Sequence, residues 1–393
     1  MINKMKHLGL LFLVICVLCS CQSTKAAKNQ MIQITNEVVN QKKDSLTVYY
    51  TEDQSYFDEA IAAFEEENDI SIQARIFHSE EEMATQLGVE LPINMGPDVI
   101  LFPSNTSLDI YKAAINGYLE PLNEMFQADQ GSQSNLYKEE LIRAGYVGDY
   151  QYYIPLTFQC EGVYIGEEDT IDTDNFLNFS NRLSHLYTLK GEDFQLKFVN
   201  QNQFKQMNDL LRYMVNVIGL DFINMEQQHV AVNKELLKAV CNFVMELSPL
   251  LVNSGPSPIT DYGKKVYIPN VESPYRYNAV VGDFAAIHAG CKEREEAYLL
   301  IRHILNYENT TYDQMHLPVN ETNFNNFVDS MNCKEDAQQL SIVYRNINNA
   351  QIPNKRIGDI LEVTMGEYLK GGDDFDSSYS RFIKQLNLYE KER

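Results

Sequence analysis

Residues 46–67 read LTVYYTEDQSYFDEAIAAFEEE, and the period of the apolar positions changes part-way along. Residues 46–50 form a β-branched and aromatic run, the composition of a strand. Ser55 then offers an N-cap, Asp58 and Glu59 suit a first helical turn, and Phe57, Ile61 and Phe64 recur on one helical face. The same order returns downstream. Ile70, Ile72, Ala74 and Ile76 alternate like a second strand, a helix follows around Met83 and Leu87, and residues 99–102 (VILF) read as a buried strand. A further helix with Leu108, Tyr111 and Ile115 inward is expected to stop at Gly117, a residue suited to the position after a helix end. Strands alternating with helices predict a mainly parallel sheet and an α/β lobe.

Beyond Gly148 the pattern changes. Residues 150–156 (YQYYIPL) are strand-like but interrupted by Pro155, which suggests a crossing into a second lobe. That lobe reads as helix-rich, with faces of Phe204, Met207, Leu211, Met214 and Ile218, then Leu236, Val240, Phe243 and Leu247. A proline loop at 254–258 follows, and residues 280–287 return to strand character around Gly282. Helices are expected at 294–305, 359–369 and 377–389, the last two separated by Gly371 and Gly372.

Upstream, Lys4, Lys6 and His7 precede an apolar run at 8–18, too short to span a membrane and suited to a signal-peptide core. It ends Leu-Cys-Ser-Cys, so residues 1–20 read as a lipoprotein signal and Cys21 as the lipidation site. Two acyl chains are enough for a stable bilayer anchor. Residues 21–45 then read as anchor and flexible tether.

The 393 residues suit two or three domains. Lys and Arg number 32 against 55 Asp and Glu, and a net charge of −23 repels a phosphate backbone, which excludes broad nucleic-acid binding. Cys160, Cys241, Cys291 and Cys333 form no Cys-x-x-Cys pair, so no metal site is expected, and free thiols are the plainer reading.

In this order the pieces resemble the extracellular solute-binding lipoproteins of bacterial ABC importers, family 1, the carbohydrate-binding group. Residues 46–67 look like that family's opening strand and helix, 96–100 (GPDVI) like its "PDV" strand, and 117–122 (GYLEPL) like its "G-x-L-x-P-L" corner. Residues 153–164 are similar to its hinge strand, 285–305 to its return strand and helix, and 317–320 (LPVN) to its "LPVN". The likeness spans about residues 46–393. It implies a type II periplasmic-binding-protein-like α/β fold, two lobes joined by hinge strands with a ligand cleft between them. Residues 46–153 would form the first part of lobe 1 and 154–278 lobe 2, while 279–393 would return to lobe 1 and add the C-terminal helices. It further implies a non-catalytic, cofactor-free monomer, held on the outer face of the cell membrane, that delivers a small solute to an ABC permease. The family's sugar binders usually stack a ring on tryptophan. This chain has none, and 24 tyrosines are its alternative.

Loops just beyond strand ends are where open α/β sheets bind ligands, which selects Glu52 and Asp53, then Ser104 and Asn105. Short polar residues there serve equally as helix caps. Gln159 stands where the resemblance puts a ligand-facing residue. Gly282 would let a ligand approach the backbone, Asp283 would accept hydroxyl protons, and Tyr277 would offer a stacking face. A sugar is the first reading of the ligand. A cationic polyamine held by Glu52, Asp53 and Asp283, a ferric ion on paired tyrosines, or a ligand-sensing lipoprotein without transport are the alternatives. A hydrolase is disfavoured by the lack of Gly-x-Ser-x-Gly or His-Glu-x-x-His and by seven scattered histidines.

Overall fold

The computed structural model describes residues 45–126, 136–171, 174–191, 196–198, 206–220, 222–224, 229–253, 263–271 and 275–392. The signal segment, Cys21, the tether up to residue 44 and the proline loop 254–258 lie outside the described residues.

Strand β1 (Ser45–Thr51) buries Leu46, Val48 and Tyr50 on alternate positions, the pattern that the sequence carries. It runs straight into a 3-10 turn at Glu52–Phe57, one element earlier than a helix capped by Ser55 would begin. The reason is local: Thr51 N donates to Gln54 Oε1 (3.1 Å), which closes the turn at once. Helix α1 (Asp58–Asn68) follows, with Ala60, Ile61 and Phe64 buried. Strand β2 (Ser71–Phe77) pairs parallel with β1, and its alternation does not track burial, because as the outer strand it leaves Ala74, Arg75 and Ile76 exposed. Helix α2 (Glu80–Glu90) is capped by Ser79, and β3 (Val99–Phe102) is buried at all four positions. Helix α3 (Ile110–Ile115) stops before Gly117, whose φ of 72° a Cβ would strain.

Helix α4 (Glu139–Arg143) follows, and the chain then leaves the first sheet. Strand β4 (Ile154–Pro155) belongs to it, whereas β5 (Thr157–Gln159), one residue on, joins a second sheet, and β6 (Gly162–Ile165) a third. The return repeats the switch in reverse: β9 (Tyr277–Val281) lies in the second sheet and β10 (Phe284–Ile287) in the first. Between these crossings come α5 (Phe176–Lys190), β7 (Leu196–Phe198), α6 (Met207–Val217), α7 (Lys234–Asn253) and β8 (Lys264–Tyr267). The first sheet has the order β2-β1-β3-β10-β4, and the third, antiparallel, is β8-β6-β7.

After β10 come α8 (Arg294–Asn306), β11 (Leu317–Pro318), α9 (Glu321–Ser330), α10 (Lys334–Arg345) and β12 (Ile347–Gln351). The second sheet is therefore β11-β5-β9-β12. The last helices, α11 (Lys355–Leu369) and α12 (Phe375–Lys391), pack on each other, and α11 packs on α6 and α7, which lie between the two crossings. One apolar core joins Leu46, Phe57 and Phe64 to Ile301 and Phe324. The other runs from Phe102 and Tyr153 through Val281 and Phe284 at the crossing to Phe176, Leu211 and Leu361.

Candidate ligand cleft

The two crossing segments lie side by side, and their kinks are tied together. Leu156 N and Thr157 N both donate to Asp283 O (2.8 and 3.1 Å), and Gly282 N donates to Thr157 O (2.9 Å). A Cβ on Gly282 would stand 2.5 Å from Thr157 Oγ1, so it is this hydroxyl that requires a glycine there. Asp283 N donates to that same hydroxyl (2.7 Å), which in turn donates to Asp283 Oδ2 (3.0 Å). Gln54 Nε2 donates to Oδ1 (2.8 Å) and the Tyr56 hydroxyl donates to Oδ2. One carboxylate, 4% exposed, thus fastens the first turn of lobe 1 to both crossing segments.

Beside this junction lies a cavity of about 1030 Å³. Lobe 1 lines it with Asp53, Ser104 and Asn105, the crossing segment with Gln159 and Glu161, and α6 with Arg212, Tyr213 and Asn216. The far wall is β12 and its continuation, with Asn348, Asn349, Gln351 and Asn354. These amides are oriented by internal bonds: Gln351 Nε2 and Asn278 Nδ2 both donate to Asn216 O (2.9 and 2.6 Å), and Asn349 Nδ2 donates to Asn278 Oδ1 (2.9 Å). An amide has two donors and a two-lone-pair acceptor, so one such bond fixes its direction without exhausting it.

Four of the eight ligand candidates therefore share the cavity: Asp53, Ser104, Asn105 and Gln159. The competing job for Ser104 and Asn105 was helix capping, and Asp109 does that for α3, its carboxylate accepting from Lys112 N (3.1 Å). The other four do not line it. Glu52 turns to His78 Nδ1 (2.5 Å) on the surface, and Tyr277 is buried in the core. Gly282 and Asp283 face Thr157, Gln54 and Tyr56 instead of the cavity. The sequence reading missed Glu161, Arg212, Tyr213, Asn216 and the amides of β12, for which the run NINNAQIPN at 346–354 was the available signal.

Electrostatically the cleft is acidic but internally braced. The Tyr213 hydroxyl donates to Glu161 Oε2 (2.6 Å), and its pKa is driven well above the ordinary range by burial and then by that carboxylate's charge. Lys265 is buried nearby, where desolvation lowers its pKa and the Glu161 charge pushes back. Arg212 Nη2 donates to Asp359 Oδ1 and Glu362 Oε2 (2.7 Å each), clamping α6 to α11. Contacts also reach from lobe 1 to the C-terminal helices: Lys355 Nζ lies 3.8 Å from Glu80 Oε2, and the Tyr389 hydroxyl donates to Asp109 Oδ1 (2.8 Å).

Asp283 also makes a pH prediction. Burial raises its pKa above the ordinary aspartate value, while its Tyr56, Gln54 and Thr157 donors pull part of the way back. Below the ordinary value of about 3.9 both folded and unfolded states are protonated, and the group contributes no pH dependence. Above it the folded state holds the proton longer, so stability falls with rising pH until the folded carboxyl ionises. Urea midpoints across this range should fall with pH more steeply in the wild type than in Asp283→Asn; parallel profiles would contradict the shift.

No family model and no curated relative matches the sequence. Solved structures do match. An ABC substrate-binding protein from Listeria monocytogenes in complex with cycloalternan superposes with a TM-score of 0.61 at 12% identity, over 88% of this chain and 99% of that one. The fold is that of the two-lobe solute-binding proteins. A solute-binding protein from Thermotoga lettingae bound with α-D-tagatose gives a TM-score of 0.59 at 14% identity, over 88% of this chain and 100% of that one. A chain from the directed evolution of a de novo designed esterase gives 0.59 at 12% identity, over 89% and 99%.

Proposed function

We propose that the protein captures a carbohydrate in the cleft between its lobes and delivers it to an ABC permease. The observation that carries this reading is the amide-lined cavity. Sugar hydroxyls donate and accept at once, and Gln159, Asn216, Asn349 and Gln351 bring both capacities to the same space. Tyrosines at 146 and 213 border the same space, where a phenol ring can lie against a pyranose face as an indole would. Ligand complexes of similarly folded proteins, with cycloalternan and with tagatose, support the same class. Two lobes contacting one ligand give closure a driving force, since only the closed form makes both sets of contacts.

The role is binding and not catalysis. The designed-esterase likeness is one of fold, and the sequence carries neither a Gly-x-Ser-x-Gly elbow nor a His-Glu-x-x-His pair. Export and acylation at Cys21 would place the body outside the cell membrane. Among the described residues no helix is long and apolar enough to cross a membrane.

A thermal-shift screen of the body from residue 45 onward tests this reading. An oligosaccharide at 100 times its dissociation constant should stabilise by about 2.7 kcal/mol. Stabilisation by polyamines or ferric ion with silence from every sugar would replace it. Gln159→Ala should weaken the sugar by about 1 to 3 kcal/mol in titration calorimetry, the cost of a lost buried hydrogen bond. Unchanged affinity would remove Gln159 from the site.

A further inference from the structure

Resting on that reading, we infer that the cleft is built for an uncharged oligosaccharide of more than one ring and rejects sugar acids. Six carboxylates line it, from Asp53, Glu80, Glu81, Glu140, Glu161 and Asp209, against three cationic side chains. Arg212 and Lys355 are engaged by carboxylates. Arg212 is clamped between Asp359 and Glu362, so the guanidinium arrives with more negative charge than it cancels, and Lys355 faces Glu80. The chain's net charge of −23 adds a field of the same sign. A uronate or a sugar phosphate entering this space meets repulsion at close range.

The same contacts argue against a cation as the intended ligand. Glu161, the most deeply buried of these acids, accepts the Tyr213 hydroxyl, and Glu80 accepts Ser107 N while facing Lys355. The two of these acids that sit deepest among donors, Glu161 and Glu80, are thus held by the protein's own groups instead of facing a ligand cation. What faces the cavity from β12 is uncharged, namely the amides of Asn348, Asn349 and Gln351. Size points to several rings: about 1030 Å³ stands at the upper end of ligand pockets, which run to about 1,000 Å³ for drug-sized molecules.

The test is titration calorimetry with neutral mono-, di- and trisaccharides and with the same oligosaccharides oxidised at C6 to uronates. The neutral trisaccharide should bind more tightly than its monosaccharide. The uronate should bind at least about tenfold more weakly than its neutral counterpart, the effect of one unfavourable charge contact at intermediate dielectric. Added salt should narrow that gap, and so should Asp53→Asn combined with Glu81→Gln, two exposed positions. If the double variant folds poorly, the salt series on the wild type decides. Uronates binding as well as neutral sugars, or a gap indifferent to salt, would overturn the charge selection and leave sugar binding intact. Saturation by a monosaccharide with no gain from further rings would overturn the size selection. Failure of every sugar, charged or neutral, would remove the functional reading itself.

Discussion

Gly145→Ala should destabilise the protein by about 3 kcal/mol or more, an amount reached only by overpacking or comparable core damage. A Cβ built on Gly145 would lie 1.8 Å from the backbone oxygen of Tyr153, and a main-chain atom cannot rotate away as a side chain does. Nor can the segment slide. Gly145 N donates to Ile142 O (3.1 Å), and Gly145 O accepts from Tyr152 N and Tyr153 N (3.0 and 3.2 Å), so relieving the clash breaks the pairing that leads into the crossing. Ala144, Tyr146 and Tyr153 line the cleft, and ligand affinity should fall along with stability. Gly88→Ala is the control: it lies inside α2 with nothing within 4 Å of the new methyl, and should gain up to about 1 kcal/mol from helix propensity. Urea denaturation of both variants checks the pair, and a Gly145→Ala midpoint close to wild type would contradict the packing described.

Asp283→Ala should cost about 3 kcal/mol or more, since it leaves several buried donors unsatisfied at about 1 to 3 kcal/mol each. The donors of Gln54, Tyr56 and Thr157 converge on this carboxylate, and all three would lose their acceptor together. Since Asp283 joins lobe 1 to both crossing segments, its loss should loosen the lobes relative to each other as well as lower the melting temperature. Small-angle scattering would register that as a larger radius in the unliganded protein. A variant that melts normally but binds sugar more weakly would return Asp283 to the ligand site and refute the hinge role.

That residue also marks where sequence reading reached its limit. A glycine and an acid inside a strand suggest a ligand approaching the backbone, and something does approach it closely: the Thr157 hydroxyl, 126 positions away in the chain. Local grammar was legible where it is self-contained. The alternation in β1, the four buried positions of β3 and the glycine ending α3 all follow from neighbours in sequence. One edge of the cleft was legible for a topological reason, because the ends of parallel strands point to Asp53, Ser104 and Asn105. The amide wall was not. Asn216 on a helix and Asn349 on a strand each look like ordinary solvated positions, and only the pairing of β9 with β12 brings them together through Asn278.

The contact between Tyr389 and Asp109 spans the last helix and the lobe that the chain built first. Because the sequence contains no tryptophan, an indole placed at 389 would be the protein's sole long-wavelength emitter, seated where the two halves meet. Its brightness and colour depend on how dry that seam is. If the lobes open and close on a ligand as proposed, such a variant would turn that motion into an optical signal, readable in real time without labelling the ligand.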